Sequence, residues 1–127
     1  MDVVGFDHLV LVVSDVERSL RWYGEVLDLG GVRVEEWRRG EAPFPSLRVD
    51  GTTIIDLIPG TTGPGSGNLD HLCLVVAPTD LEAWATSAGI EILDGPGTRF
   101  GAQGDATSIY IRDPDGNVVE LRHYPTS

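Results

Sequence analysis

Residues 7–13 read DHLVLVV and residues 70–76 read DHLCLVV, so two short segments of this chain are nearly identical. Six of the seven positions match at an offset of 63 residues. Each segment is a run of Val and Leu bounded by polar residues, which is typical of a buried strand. The chain is therefore predicted to contain two copies of one structural unit, each beginning with this strand.

A helix is predicted after each of these strands. Ser14 and Thr79 each precede a Glu by three residues, the spacing of a capping box at a helix start. Apolar residues then recur at helical spacing, and the helices are expected to end at Gly30 and Gly89. Three further strands should follow each helix, at about 31–38, 45–50, 53–58, 90–94, 107–112 and 117–123.

The predicted fold class is α+β, with tandem βαβββ modules forming two curved mixed sheets around a shared cleft. A length of 127 residues suits one domain, residues 1–127. Module one covers about residues 4–58 and module two about 68–124, joined by the Gly- and Pro-rich linker 59–67. The glycine-rich segment 95–106 is expected to be either a long hairpin connection or a lid beside the cleft.

Composition excludes several functions. The net charge of -11 opposes binding to nucleic acid and to anionic membranes. All nine basic residues are Arg, so a lysine Schiff base is impossible, and the single cysteine, Cys73, is expected in the core. No apolar run is long enough to cross a bilayer, and the N-terminus does not resemble a signal peptide. A cytoplasmic protein that binds a small molecule is therefore expected.

Each copy has one His near its start and one acid near its end. His8 and His71 occupy matching positions at the two starts, and Asp56 and Glu120 occupy matching positions at the two ends. A carboxylate in an apolar strand is costly unless its charge is compensated, which a metal ion does directly. Taken singly, either His is more often structural, and either acid can face solvent on an alternating strand. Together they predict one divalent ion, and two imidazoles with carboxylates suit Zn, Ni, Mn, Fe or Co.

The segments DHLVLVVSDVERSLRWYGEVLDL (7–29) and IYIRDPDGNVVEL (109–121) resemble the vicinal oxygen chelate superfamily. This superfamily includes glyoxalases, methylmalonyl-CoA epimerases, fosfomycin-resistance transferases, extradiol dioxygenases and bleomycin-binding proteins. The resemblance covers nearly the whole chain, and the DPDGN segment with its following Glu is its most specific part. It implies the fold and a homodimer, but it does not specify a reaction.

The resemblance implies metal ligands at His8, Asp56, His71 and Glu120. The position of Asp56 usually holds Glu, Gln or His, so this shorter side chain is expected to bind the ion directly, to bind through water, or to serve only as a base. Without it, the other three would form the ligand set of the dioxygenase and fosfomycin branches. Asp56 and Glu120 are the candidates for moving a proton next to a metal-polarised carbonyl.

Further site residues follow from their positions. Tyr110 lies ten residues before Glu120 and is predicted either to face the metal, as in the dioxygenase branch, or to pack in the core. Arg122 shares the face of Glu120 and is expected to hold a substrate anion or to pair with a nearby acid. Arg99 is a further candidate for substrate binding. Trp37 and Phe44 would wall a substrate pocket or pack in the core.

The leading functional hypothesis is a metal-dependent enzyme, a glyoxalase-like lyase, isomerase or epimerase acting on a small oxygenated substrate. The first alternative is a metal-free protein that binds a drug or metabolite, like the bleomycin-resistance proteins. The second is an extradiol-type dioxygenase, which the absence of histidine from residues 95–108 disfavours.

Overall fold

The structure is a computed structural model that describes residues 2, 4, 6–61 and 69–125. The chain divides into two compact units, Met1–Gly63 and Pro64–Ser127. The boundary between the units falls within the predicted linker, although residues 62–68 lie outside the described residues. None of the helices in the described part of the chain has the length and hydropathy needed to span a bilayer.

The first unit contains one four-stranded mixed sheet with two helices. Its elements are β1 (His8–Val13), α1 (Val16–Leu27), β2 (Gly30–Val32), α2 (Val34–Arg38), β3 (Ser46–Arg48) and β4 (Ile54–Pro59). The strand order is β1-β4-β3-β2. β1 runs parallel to β4, whereas the other neighbours are antiparallel. The first and last strands of the unit therefore lie side by side.

The second unit repeats this topology with one helix. Its elements are β5 (Leu72–Val75), α3 (Leu81–Ala88), β6 (Asp94–Gly101), β7 (Gly104–Arg112) and β8 (Val118–His123). The strand order is β5-β8-β7-β6, and β5 is parallel to β8. The predicted α+β class and the duplicated strand and helix order are confirmed.

Each sheet buries one face in the core of its own unit. In β1, Leu11 and Val13 are buried while Val10 and Val12 are exposed, as expected for side chains that alternate between the two faces. Leu57 on the neighbouring β4 is also fully buried, and β4 contacts α1. Complete burial of such an aliphatic side chain contributes about 1.5–3 kcal/mol.

The helix starts differ by one residue from the predicted caps. The carboxylate of Asp15 accepts a hydrogen bond from the backbone N–H of Arg18, and Asp80 accepts one from Ala83. Asp15 and Asp80 are therefore the N-cap residues, and the prediction that Ser14 and Thr79 cap the helices is wrong. An aspartate caps a helix at least as well as a serine or threonine. α3 ends at Gly89 as predicted, but α1 already ends at Asp28, in the left-handed conformation.

The strand predicted at 31–38 is mostly wrong. β2 ends at Val32, Arg33 adopts a left-handed conformation with φ of 58°, and α2 follows. Two glutamates lie in the first turn of α2 and Arg38 in its last turn, which suits the helix dipole. The local charge pattern therefore overrides the strand preference of the valines.

The strand predicted at 90–94 is displaced toward the C-terminus. β6 begins at Asp94 and forms a hairpin with β7 that includes most of the segment predicted as a connection or lid. The hairpin turns at residues 102–103, and Gly104 follows with φ of 96°. Three of the eight residues of β6 are glycines, so the hydrophobic period that would identify a strand is absent from its sequence.

Candidate metal centre

The first unit brings His8 and Asp56 together. His8 begins β1, and Asp56 lies in the middle of β4, opposite Val10 in the parallel register. The Nε2 atom of His8 lies 3.8 Å from Asp56 Oδ2. The other ring nitrogen, Nδ1, lies 2.7 Å from the carboxylate of Asp7. The hydrogen bond with Asp7, with a smaller contribution from Asp56, raises the pKa of His8 above 6.5 despite partial desolvation.

The second unit repeats this arrangement with His71 and Glu120. His71 directly precedes β5, and Glu120 lies on the adjacent parallel strand β8. The Nε2 atom of His71 is 3.2 Å from Glu120 Oε1, and its Nδ1 atom is 2.6 Å from Asp70 Oδ2. Each unit thus contains the same series of side chains, an aspartate, an imidazole and a buried carboxylate.

The two ring nitrogens of each histidine have different roles. An ionised carboxylate only accepts hydrogen bonds, so Nδ1 must carry the proton that bonds Asp7 in His8 and Asp70 in His71. In the neutral ring, Nε2 then presents a lone pair to a second carboxylate. Two acceptors facing each other require a cation between them, which is either an added proton or a metal ion.

Two buried serines hold the carboxylates, and the sequence analysis missed both. The hydroxyl of Ser46 donates to Asp56 Oδ1 at 2.6 Å, and that of Ser108 donates to Glu120 Oε2 at 2.7 Å. Both serines are almost completely buried. Each serine lies on the strand that pairs with the acid-bearing strand, a relation that the strand pairing reveals and a lone serine in the sequence does not.

Tyr110 lies beside the second pair. It is opposite Glu120 in the antiparallel register of β7 and β8, and its ring meets that of His71 edge to face at 5.7 Å between centroids. Although burial raises the pKa of Glu120, hydrogen bonds from Ser108 and Tyr110 and the charge of Arg122 lower it below 4.5 overall. Burial and the charge of Glu120 raise the pKa of Tyr110, which keeps its phenol protonated.

Arg122 is buried and bonded to protein acceptors. Its Nε atom donates to Glu120 Oε2 at 3.1 Å, and its Nη1 atom donates to the Tyr124 hydroxyl at 3.1 Å. Nη2 donates to the backbone carbonyls of Arg99 at 3.1 Å and Phe100 at 3.2 Å. Of the two roles predicted for Arg122, holding a substrate anion or pairing with a nearby acid, these contacts favour the second.

The segments that resemble the vicinal oxygen chelate superfamily, residues 7–29 and 109–121, include the first strand of one unit and most of the last strand of the other. The model of the Glyoxalase/Bleomycin resistance protein/Dioxygenase superfamily matches residues 5–121. The chain belongs to this superfamily. The predicted vicinal oxygen chelate resemblance is thereby confirmed.

Two relatives are similar to this chain over most of their own length. Virulence protein STM3117 of Salmonella typhimurium is 37% identical over 121 residues, which is 93% of this chain and 83% of that protein. Its crystal structure aligns with a TM-score of 0.75, at 32% identity, over 98% of this chain and 100% of that one. Glyoxalase domain-containing protein RDO1 of Mycosarcoma maydis is 30% identical over 98% of this chain and 70% of its own length.

Arg99, Trp37 and Phe44 are the other residues predicted to bind substrate. Arg99 on β6 donates to Asp94 at 3.0 Å and lies 6.0 Å from the centre of the Tyr110 ring. Trp37 lies half-buried on α2, and Phe44 lies just before β3 under the guanidinium of Arg33. The proposed contacts of these residues with a substrate remain predictions.

Cys73 is exposed, so its predicted place in the core is wrong. Adjacent β5 residues alternate between faces, and Cys73 shares the outward face with Val75. Partial desolvation and the negative charge of Glu120, its neighbour across the strands, raise the pKa of the thiol to about 11.

The chemistry of each pair fits a metal ion. Histidines that ligate metals almost always donate their second ring N–H to a carboxylate or carbonyl, as His8 and His71 do to Asp7 and Asp70. Among the described residues, no group of three or more His, Cys, Asp or Glu side chains is arranged to hold a metal ion. Within the part of the chain that the structure describes, each unit on its own therefore brings together one histidine and one acid beside it, which is fewer than three such side chains around one point.

Proposed function

We propose that this protein holds one divalent metal ion with His8, His71, Glu120 and Asp56. We further propose that it acts as a glyoxalase-like lyase, isomerase or epimerase on a small substrate with neighbouring oxygen atoms. When bound, the ion supplies Lewis acidity that stabilises negative charge developing on a substrate oxygen. We expect a homodimer, as is common in the superfamily, with the ligand pairs coming from one chain or from two copies.

The observation that carries this proposal is the duplicated series of an aspartate, an imidazole and a buried carboxylate. A structural histidine has no need of a second acid facing the lone pair of Nε2. A carboxylate oxygen faces Nε2 at the matched positions of both units, at 3.8 Å in one and 3.2 Å in the other, and with a neutral ring this arrangement brings two acceptors together. A cation bound at Nε2 relieves it in both.

The surroundings of the two acids support different roles for them. Glu120 accepts hydrogen bonds from Ser108 and Arg122 and has a lowered pKa, which suits a fixed and permanently charged ligand. Asp56 accepts one hydrogen bond, from Ser46, and among the described residues no guanidinium contacts it. We therefore assign Asp56 as the weaker ligand, whose Oδ2 atom would leave the ion and act as the base that takes a proton from the substrate carbon and returns it.

The arginines argue for a small substrate with little negative charge. Arg38 forms a two-pronged ion pair with Glu17, with both N···O distances 2.8 Å, and also bonds Glu35. Arg99 and Arg122 are likewise bonded to protein acceptors. With a net charge of -11, the protein is poorly suited to a substrate whose carboxylates need basic partners, such as a glutathione adduct.

The test is a metal titration of purified protein after treatment with a chelator. Co²⁺ is added and its visible absorption is followed, because the spectrum reports nitrogen ligands and coordination geometry. We expect one ion per chain in the wild type and loss of tight binding in His8→Ala and His71→Ala. His123→Ala is the matched control, because it removes an imidazole from β8 that is not part of the proposed set.

The titration separates the proposed enzyme from its main alternative. If the wild type binds none of Co²⁺, Zn²⁺, Ni²⁺, Mn²⁺ or Fe²⁺ while remaining folded, the metal-dependent proposal is wrong and a metal-free binding protein is favoured. Equal loss in His123→Ala would instead show that the histidine variants act through a general effect on folding.

A further inference from the structure

We propose that Arg122 is a positioning residue that, together with the glycine at position 101, fixes Glu120 so that only one carboxylate oxygen is offered to a ligand. This inference rests on the proposed function, because it specifies how the Glu120 ligand is presented. It reassigns Arg122 from substrate binding to the support of the site. Arg122 would touch neither substrate nor ion.

The contacts of Glu120 divide its two oxygens. Oε2 accepts from Ser108 at 2.7 Å and from Arg122 Nε at 3.1 Å, with Nη2 of the same guanidinium also 3.1 Å away. Oε1 faces His71 Nε2 at 3.2 Å. Charge-assisted bonds from a guanidinium are the stronger class of hydrogen bond, so Oε2 is held and the carboxylate is prevented from rotating.

Arg122 is itself held from the opposite side by the end of the β6–β7 hairpin. The carbonyls of Arg99 and Phe100 accept from Nη2, and the Tyr124 hydroxyl accepts from Nη1. The same hydroxyl accepts from the backbone N–H of Gln103 in the hairpin turn. The guanidinium therefore connects the hairpin end to Glu120, and four of its five N–H groups are used in this way.

Gly101 provides the space in which this guanidinium lies. A Cβ at position 101 would fall on Nη1 of Arg122 and would come within 2.9 Å of the Tyr124 hydroxyl. Gly101 does not have a positive φ, so its backbone alone does not require glycine. The absence of a side chain at Gly101 is explained by the presence of Arg122.

The experiment uses two variants that keep the charge of the site. Arg122→Lys retains the positive charge but loses the fork that reaches both Glu120 and the hairpin. Gly101→Ala leaves Arg122 in the sequence and displaces its guanidinium. Gly30→Ala is the matched control, because no atom lies within 4 Å of a Cβ placed there. Co²⁺ affinity and crystal structures of the metal-free proteins are measured for all of them.

Loss of a residue that holds a metal ligand in place typically lowers the affinity for the metal about 10- to 100-fold. We expect a weakening of Co²⁺ binding in this range, with an altered visible spectrum, in both variants, and no change in Gly30→Ala. The crystal structures should show the Glu120 carboxylate turned away from Ser108 or in several conformers.

The outcomes distinguish this inference from the proposed function. If Glu120 keeps its place in both variants, the positioning role is wrong, whatever the affinity. If Glu120 moves but the wild type binds no metal, the positioning role stands and the metal proposal fails. Unchanged Co²⁺ affinity with a displaced Glu120 would overturn the claim that holding Oε2 in place is what presents Oε1 to the ion.

Discussion

The two serine hydroxyls allow a quantitative test of how the buried acids are held. Ser46→Ala and Ser108→Ala each remove one hydrogen bond to a buried carboxylate, and such bonds to charged groups contribute about 1.5–3 kcal/mol. After loss of Ser108, Glu120 still has Arg122 beside it, whereas after loss of Ser46 the one partner left to Asp56 in the described part of the chain is His8, at 3.8 Å. We therefore expect a cost of about 3 kcal/mol for Ser46→Ala and about 1.5 kcal/mol for Ser108→Ala.

The assay is urea unfolding of the metal-free protein near neutral pH, with a chelator present throughout. Ser87→Ala is the control, because this serine is exposed on α3 and its replacement should change stability by less than about 0.5 kcal/mol. If both buried-serine variants resemble this control, the hydroxyls do not hold the carboxylates. A larger loss for Ser108→Ala than for Ser46→Ala would refute the compensating role of Arg122.

Three further predictions concern single side chains. The pKa of Glu120 is lowered in the folded state, so its stabilising contribution is present above pH 4.5 and is lost as the pH falls through the folded pKa. Urea unfolding should therefore show that the stability of the wild type relative to Glu120→Gln decreases in acid. Alkylation of Cys73 should keep accelerating with pH up to about pH 11, and Glu120→Gln should speed it at pH 8; a plateau near pH 9 would contradict the raised pKa. Asp113→Ala removes the acceptor that the backbone N–H groups of Asp115 and Asn117 share. It should lower the unfolding free energy by about 1–3 kcal/mol, and an unchanged urea midpoint would contradict this.

Much of the fold could be predicted because the duplicated strand is a strong signal. The match between residues 7–13 and 70–76 fixed the order of the elements in both units, and the parallel pairing then placed the last strand beside the first. The failures lie where local chemistry competes with hydrophobic pattern. Helical charge placement in α2 overrode the strand preference of Val34, and the glycines of β6 removed the period that marks a strand.

The sequence identified the histidines and acids of the candidate site, but not the contacts that hold the acids in place. Sequence symmetry put the two histidines at matching positions and the two acids at matching positions, and it predicted that all four converge. The structure brings His8 to Asp56 and His71 to Glu120, each pair within its own unit, and the convergence of all four stays a prediction. The supporting serines were missed because a single serine in a strand carries no pattern. The surroundings of Arg122 depend on carbonyl groups of a hairpin distant in sequence, which no spacing of side chains reveals.

The most direct test of the metal proposal is an anomalous-scattering map of crystals grown with Co²⁺ or Zn²⁺, recorded at the absorption edge of the metal. We predict a single strong peak at about 2.0–2.2 Å from Nε2 of His8, Nε2 of His71 and Oε1 of Glu120. A peak that contacts only one of these histidines, or a map without a peak at either ring, would contradict the proposal.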